Sequence, residues 1–311
     1  MERKKRPLVV LTGPTAVGKT ALSLRLARAL DGEIVSADSM QVYRRMDIGT
    51  AKVTRQEMEG IPHHLIDVLE PDEDFNVVTF TSMAREAMEG IYSRGRIPVV
   101  TGGTGFYIQA LAYGVNFEEH QESGCRRRLR ALAEEKGAEH LHSLLEEVDP
   151  AYAAGIHANN VKRVIRALEF FYETGTRLSD HNSRERERTS PYDLWYFVLN
   201  CRRQDLYDRI NRRVDQMMDL GLEQEACGLI REGLREDMTS MQGIGYREFF
   251  PYLRGERSLD ETVEQIKKDT RHFAKRQLTW FRREKDVIWM NKEDYPEEDR
   301  LLACMLSRIR A

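Results

Sequence analysis

One short segment of this 311-residue chain has the residue types and spacing of a phosphate-binding loop. It follows the pattern G-x-x-x-x-G-K-[ST], in which glycines let several backbone N–H groups point at phosphate oxygens and the next helix adds partial positive charge. Lys19 would neutralise terminal phosphates, and the Thr20 hydroxyl would hold Mg²⁺. A strand-like run before the motif and a helical pattern after it argue against a chance match. The predicted diphosphate or nucleotide site consists of Gly13, Pro14, Thr15, Ala16, Val17, Gly18, Lys19 and Thr20.

The loop alone does not identify the group that is transferred. In kinases and NTPases the γ-phosphoryl group moves or is hydrolysed. The same cradle would equally stabilise a diphosphate that leaves when a carbon–oxygen bond breaks. Both chemistries remain open at the level of this motif.

A carboxylate, Asp38, follows the second predicted strand. In open α/β sheets, ligands bind at the carboxyl ends of the strands, which would place Asp38 beside the phosphate loop. It would serve either as a cap or water-mediated Mg²⁺ ligand, or as a general base. Residue type and position leave the two interpretations equal. Nearby Asp47 is interpreted as a capping or turn residue.

Two further polar groups lie near the ends of predicted strands. His63 and His64 have no Cys or His partners at ligand spacing, so turn and packing roles are favoured over metal binding. The run Gly102-Gly103-Thr104-Gly105 would let a ligand approach backbone amides closely, with the Thr104 hydroxyl as a donor. A tight turn into the next helix is the alternative.

Alternating strands and helices would position these groups. Short apolar runs predict buried parallel strands, and 3.6-residue periodicity predicts the helices between them. This alternation predicts an α/β fold with a P-loop NTPase-like parallel sheet flanked by helices, a helical insertion domain and C-terminal helices. Strands are predicted at residues 8–11, 33–37, 64–68, 97–101 and 194–199, and the clearest early helices at 20–30 and 77–94.

The character of the chain changes after Gly114. Residues 117–178 are charged and helical without convincing strands, and residues 181–190 read as an exposed polar loop. From residue 204 to 284 the pattern is helical again, with a break near residues 243–245. The predicted domains are an α/β core with C-terminal helices, residues 1–116 and 191–311, and a helical insertion domain, residues 117–190.

The charge distribution favours a polyanionic partner more than the net charge of −3 does. Any one basic cluster is readily explained as a solvated helix face. Four clusters confined to the later part of the chain favour a nucleic acid. They are Arg126-Arg127-Arg128 with Arg130, Lys162-Arg163 with Arg166, Arg209 with Arg212-Arg213, and the stretch 271–285.

Composition indicates a reduced, cytoplasmic protein. No stretch approaches the ~18 uncharged apolar residues of a membrane helix, and the apolar run after the basic N-terminus is too short for a signal peptide. The four cysteines have no disulfide or zinc spacing. We therefore expect no membrane association.

Together these segments resemble the tRNA dimethylallyltransferase family, also called tRNA isopentenyltransferases or IPP transferases. The strings at residues 47–52 and 275–282 are far more specific than the phosphate loop. The zinc finger that ends many eukaryotic relatives has no counterpart, so the bacterial type is expected. The matching segments are residues 13–20, Asp38-Ser39, Tyr43, 46–52, 62–67, 95–98, 102–104, Tyr107, 243–247 and 275–282.

The resemblance implies a reaction. The dimethylallyl group of dimethylallyl diphosphate would pass to N6 of the adenosine on the 3′ side of the anticodon, position 37 of tRNA. Asp38 matches the family's base, Thr104 a residue at the reacting centre, and Arg213 an arginine that reaches the diphosphate. Mg²⁺ at Thr20 is the implied cofactor, the anticodon stem-loop the implied tRNA partner, and a monomer the expected state.

The resemblance also implies contacts with tRNA. On a helical wheel, Lys275, Arg276, Thr279 and Arg282 share one basic arc bordered by Trp280, which suits phosphate contact with base stacking. The insertion domain would contribute as well. The expected tRNA-binding residues are Asp38, Ser39, Met40, Gln41, Arg126, Lys162, Arg163, Arg166, Gln242, Gly245, Tyr246, Arg247, Lys275, Arg276, Gln277, Thr279, Trp280 and Arg282.

Three alternatives compete with this function. A P-loop kinase for a nucleotide or small metabolite would need no basic C-terminal helix. An RNA-binding module with an inactive loop would not need Lys19, Thr20 and Asp38 together. A relative that prenylates free AMP would not need the long helical regions with clustered arginines.

Overall fold

The computed structural model describes residues 5–114 and 124–310, and its central feature is a six-stranded sheet in which all neighbours are parallel. The strands are β1 (Pro7–Thr12), β2 (Gly32–Ser36), β3 (His63–His64), β4 (Ile97–Gly102), β5 (Asp193–Asn200) and β6 (Val287–Asn291). Their order across the sheet is β3-β2-β4-β1-β5-β6. Strand β1 is therefore central, with Val9 level with Val99 on one side and Trp195 on the other.

The described residues form two compact units, 5–114 with 190–310 and 124–189. In the first unit the helices are α1 (Lys19–Ala29), α2 (Val77–Ser93), α3 (Gly105–Ala112), α9 (Arg203–Asp219), α10 (Leu222–Arg231), α11 (Phe249–Leu253), α12 (Leu259–Phe281) and α13 (Glu298–Arg310). In the second unit they are α4 (Gly124–Lys136), α5 (Ala138–Val148), α6 (Pro150–Ala153), α7 (Val161–Thr174) and α8 (Leu178–Glu187). The boundary predicted after residue 116 lies outside the described residues.

The first unit buries apolar side chains on both faces of its sheet. Successive strand residues point to opposite faces, so Leu8 and Val10 of β1 pack into one cluster while Val9 and Leu11 pack into the other. All four are buried. This double burial explains why β1 is a continuous apolar run rather than an alternating one.

The second unit has its own small core, formed by apolar residues of α4, α5 and α7. Leu141 and Leu145 lie one turn apart on α5, and both are fully buried. The buried Asp149 carboxylate accepts hydrogen bonds from the backbone N–H of Tyr152 (3.1 Å) and of Ser179 (2.9 Å). Asp149 thereby ties the starts of α6 and α8 together.

Several sequence predictions of secondary structure need correction. The polar segment 181–190 was predicted as a loop, but residues up to Glu187 continue α8, whose first turn is anchored by the buried Leu178 and by Asp149. The strand predicted at 64–68 ends at His64, because Leu65 (φ 63°) and Asp67 (φ 54°) adopt left-handed conformations. Strand β6 and helix α13 were not predicted.

Within residues 5–114 and 124–310, none of the helices has the length and apolar character that a membrane span requires.

Candidate active site

The phosphate loop runs from the end of β1 to the start of α1, at the carboxyl edge of the sheet. Gly13 has φ 148°, and a Cβ atom there would lie 2.3 Å from the carbonyl oxygen of Leu199 on β5. Only glycine fits that approach, so the loop is held against the neighbouring strand. Gly18 (φ 97°) then turns the chain into α1.

The Lys19 ammonium lies inside the loop. Its Nζ donates to the carbonyl oxygens of Gly13 (3.1 Å) and Pro14 (2.8 Å). Burial, with the nearby Arg213 cation, lowers the pKa of Lys19 to about 8, and the Asp38 carboxylate offsets part of that shift. Because burial and Arg213 make the charged form of Lys19 unfavourable, an anionic ligand beside it would offset that cost.

Asp38 comes two residues after β2. One oxygen, Oδ1, accepts hydrogen bonds from the backbone N–H of Met40 (2.9 Å) and Gln41 (3.3 Å), so the carboxylate organises its own turn. The Thr104 hydroxyl accepts from the N–H of Ser39 (3.2 Å), which joins this turn to the end of β4. The capping role that the sequence allowed for Asp38 is therefore present, and it fixes the carboxylate.

Two cavities meet at Asp38. The large cavity, about 740 Å³, contains the phosphate loop with Lys19 and Thr20. The small cavity, about 280 Å³, lies beneath α12 and the 242–247 segment, between Ser39 and Arg276. The residues that line both are Thr15, Asp38, Thr50, Gly103, Arg213, Met217, Phe273 and Gln277. A ligand in one cavity would thus face a ligand in the other across Asp38 and Arg213.

Arg213 reaches this junction from α9. Burial lowers the pKa of its guanidinium, and the Asp38 carboxylate opposes the shift. Arg213 and Lys19 repel each other electrostatically. Because arginine stays charged under ordinary conditions, the pair supplies a positive potential at the wall of the large cavity. The chemistry that suits it is stabilisation of a phosphorylated anion.

Two of the residues predicted to bind tRNA, Gln277 and Tyr246, are buried and make hydrogen bonds within the protein. Gln277 accepts from the Thr15 N–H (2.9 Å) through Oε1 and donates from Nε2 to the Gly103 carbonyl (2.8 Å). It therefore braces α12 against the phosphate loop. Tyr246 is fully buried, and its hydroxyl donates to Glu225 Oε1 at 2.7 Å. Tyr246 lines neither cavity, whereas Gln277 lines both.

The IPP transferase family model matches residues 41–284, and an isopentenyl transferase model matches residues 7–69. This chain belongs to the IPP transferase family. It is 54% identical to the tRNA dimethylallyltransferase of Lachnoclostridium phytofermentans, over 97% of this chain and 96% of the relative. It is 51% identical to the tRNA dimethylallyltransferase of Bacillus cytotoxicus, over 99% of this chain and 98% of the relative.

Solved structures agree with this membership. The full-length tRNA isopentenylpyrophosphate transferase of Bacillus halodurans superposes with a TM-score of 0.74 and 44% identity, covering 97% of this chain and 95% of that one. A eukaryotic dimethylallyltransferase acting on tRNA superposes with a TM-score of 0.81 and 30% identity, covering 98% of this chain and 80% of that one. The predicted fold class is confirmed.

In this IPP transferase, helix α12 presents a basic face to solvent. Lys275, Arg276 and Thr279 are exposed, whereas Ala274 and Phe281 are buried on the opposite side. Arg276 also borders the small cavity, where its guanidinium lies 5.8 Å from the centre of the Phe273 ring. The remaining predicted residues of this region are Trp280, half-buried, and Arg282, exposed just beyond the end of α12.

The other predicted contacts fall in two places. Gln242, Gly245 and Arg247 line the small cavity together with Ser39 and Met40. Arg247 is held there by Glu248 (2.8 Å) and Asp269 (3.1 Å). In the second unit, α7 exposes Lys162, Arg163 and Arg166 along one face, and Arg126 of α4 pairs with the buried Glu169 (2.5 Å).

His64 makes a polar contact within the fold, and His63 lines the large cavity. His64 Nε2 lies 2.7 Å from Oε2 of the buried Glu33, which also pairs with the exposed Arg94. Burial lowers the pKa of His63, whose Nδ1 lies 2.8 Å from the Ile61 carbonyl oxygen. In the described part of the chain, no three His, Cys, Asp or Glu residues are grouped as metal ligands.

Sequence reasoning missed one residue of this region entirely. Glu225, on α10, accepts hydrogen bonds from three successive backbone amides of the 47–49 segment. No local signal distinguishes it from the other acidic residues of that helix. Its partners lie more than 170 positions away in the sequence, so only the folded chain shows them.

Proposed function

We propose that this protein transfers the dimethylallyl group of dimethylallyl diphosphate to N6 of adenosine 37 in tRNA, on the 3′ side of the anticodon. The observation that carries the proposal is Asp38 at the junction of two cavities, one built for phosphates and one open to the basic face of α12. The names of the relatives, tRNA dimethylallyltransferases, support the same reaction.

The large cavity would hold the prenyl donor. The amides of the phosphate loop, Lys19 and Arg213 would surround the diphosphate, which needs charge stabilisation as it departs. The prenyl carbon that reacts would then lie toward the junction, near the apolar side chains of Met217 and Phe273.

The small cavity would receive the acceptor base. An adenine amino group is a poor nucleophile because its lone pair is delocalised into the ring. As the N6–C1 bond forms, the C1–O bond breaks, the bonding pair leaves with the diphosphate, and Asp38 takes the N6 proton. Thr104, hydrogen-bonded to the Asp38 turn, would keep this centre in place.

Mg²⁺ fits the donor set of the large cavity. Thr20 is the second residue of α1, is exposed and lines that cavity. Mg²⁺ is commonly held by one or two protein oxygens together with substrate phosphates and water, so a cluster of carboxylates is not required. When bound, the ion would neutralise charge on the leaving diphosphate.

The acceptor would be the anticodon stem-loop, bound by a monomer. Because the anticodon loop is unpaired, its base can enter a cavity at lower cost than a base in a duplex. Supporting features are the exposed cations of α12 and, in the second unit, those of α7. The four unpaired cysteines support a site of action in the reducing cytoplasm.

The test uses the purified protein, Mg²⁺ and labelled dimethylallyl diphosphate with either tRNA or AMP. Label in tRNA, located at N6 of adenosine 37 by nuclease digestion and mass spectrometry, is the expected result. Label in AMP but not in tRNA would overturn the proposal in favour of an AMP prenyltransferase. Phosphoryl transfer from ATP without prenyl transfer would favour a kinase.

A further inference from the structure

A single carboxylate holds the segment that carries the most specific family motif. Glu225 of α10 accepts from the backbone N–H of Asp47 (3.0 Å), Ile48 (2.9 Å to Oε2) and Gly49 (3.0 Å). Three successive amides converge on one side chain. Such charge-assisted hydrogen bonds are stronger than those between neutral groups, so the backbone of this segment is firmly placed.

Tyr246 completes the arrangement. Its hydroxyl donates to Glu225 Oε1, and burial together with this carboxylate raises the pKa of the phenol well above its usual value, so it remains a donor. The tyrosine contacts Gly49, where a Cβ atom would lie 2.5 Å from Cζ. A side chain at position 49 would therefore clash with Tyr246, so glycine is required there.

The held segment leads directly to the reacting centre. Thr50 lines both cavities. The Gln41 side chain donates to the carbonyl oxygen of Thr50 (3.2 Å), while the Gln41 backbone N–H donates to Asp38 Oδ1 (3.3 Å). A chain of hydrogen bonds thus connects Glu225, the 47–50 segment, Gln41 and Asp38.

We propose that Glu225 is a positioning residue for prenyl transfer. Its carboxylate fixes the 47–50 segment, which sets the wall between the two cavities and, through Gln41, the orientation of Asp38. This inference rests on the proposed function. It assigns Glu225 no contact with substrate, because it lines neither cavity.

The chain contains a matched control on the same helix. Glu223, two residues earlier on α10, also accepts a tyrosine hydroxyl, that of Tyr252, at 2.7 Å. Both glutamates are half-buried. Neither Glu223 nor Tyr252 lines either cavity. Each pair joins a glutamate carboxylate to a tyrosine hydroxyl, but only Glu225 also binds the 47–49 amides, and Tyr246 is buried whereas Tyr252 is half-buried.

The experiment compares Glu225→Gln and Tyr246→Phe with Glu223→Gln and Tyr252→Phe in the full chain. In Glu225→Gln an NH₂ group replaces one acceptor and faces backbone N–H donors, so kcat for transfer to tRNA should fall about ten-fold. Tyr246→Phe keeps the ring and all three amide contacts, so its loss should be smaller. The dissociation constant for tRNA should not change, because the basic face of α12 is intact. Both control variants should stay within about two-fold of wild type.

Three results would overturn the inference. One is an equal kcat for Glu225→Gln and Glu223→Gln. A second is a fall in kcat that matches the folded fraction measured by thermal unfolding, because a merely structural role produces that. The third is tRNA binding weakened as much as kcat. If Glu225→Gln does not fold, Glu225→Asp, which keeps the charge but shortens its reach to the 47–49 amides, is compared with Glu223→Asp by the same criteria. Wild-type protein that transfers no prenyl group would refute the proposed function instead.

Discussion

The two cavities are built in different ways, although they meet at Asp38. The phosphate loop contributes one continuous segment to the large cavity, residues 15–20, and charged side chains from elsewhere join it, among them Lys52, Arg209 and Arg213. The small cavity takes its walls from the Asp38 turn, α9, the 242–247 segment and α12. A binding site made from one local motif tolerates change elsewhere in the fold better than a site assembled from distant segments.

The two cavities also differ in the kind of ligand that their lining suits. The large cavity offers amides and cations for a charged donor, whereas the small cavity offers a mixed polar and apolar wall that suits a base. Substitutions in one should alter one substrate and spare the other. Asp38 and Gln277 line both cavities, so substitutions at these positions should affect both substrates.

The largest effect is expected for Asp38→Asn. The amide keeps an oxygen that can accept the N–H groups of Met40 and Gln41 but cannot take a proton from N6. We expect kcat to fall roughly 10²–10⁴-fold, the usual contribution of a general base. Single-turnover transfer and equilibrium binding of each substrate would separate the effects. Asp74→Asn, which alters a carboxylate paired with Thr239, is the control. Loss of tRNA binding in Asp38→Asn would make this residue a contact rather than a base.

A second expected effect belongs to the large cavity and is a dependence on pH. The pKa of Lys19 is lowered to about 8, so the cation is present below that pH and is lost above it. A bound diphosphate stabilises the cation, so binding above pH 8 requires proton uptake. The apparent affinity for dimethylallyl diphosphate should then weaken about ten-fold per pH unit above 8.

The measurement is the dissociation constant for the donor between pH 7 and 9.5. Lys19→Arg is the matched variant, because arginine keeps its charge throughout this range. The ratio of wild-type to variant affinity cancels the ionisation of the diphosphate itself. A ratio that does not change with pH would show that Lys19 does not titrate at the site.

Features predicted from the sequence are those set by short stretches of chain. The strand–loop–helix at residues 7–29 and the turn after β4 are set by glycines and apolar runs within a few positions of each other. Asp38 was placed correctly because strand ends in a parallel sheet meet at one edge. These positions depend on local backbone geometry, which sequence patterns record.

Features that were missed depend on partners far along the chain. A helical wheel separates the two sides of α12 but does not show that Gln277 meets Thr15, some 260 residues away. The family motif includes Tyr246, yet its burial depends on Gly49 and Glu225. The polarity of α8 suggested a loop because its anchor, Asp149, lies outside the segment. Sequence patterns therefore did not predict which segments come together to form the small cavity.

A third variant, Gln277→Leu, should affect both substrates, because Gln277 lines both cavities. It leaves the Thr15 N–H and the Gly103 carbonyl oxygen without their partner, at a cost of ~1–3 kcal/mol for a buried polar group. We expect both substrates to bind about ten-fold more weakly or the melting temperature to fall by several degrees. Gln204→Leu, which removes an exposed glutamine paired with Asp208, should have neither effect. Donor binding weakened alone would restrict Gln277 to the large cavity.

The smallest effect should come from the basic face of α12, where Lys275→Ala is combined with Arg282→Ala. Both side chains are exposed and line neither cavity, so kcat with saturating tRNA should not change. Each lost phosphate contact should reduce the slope of log K against log salt by about 0.7–0.9. Arg25→Ala with Arg28→Ala removes the same charge from α1 and should leave the slope unchanged. Equal slopes for the two double variants would exclude α12 from the tRNA interface. The acceptor adenine of tRNA would then have to enter the small cavity from a side other than α12.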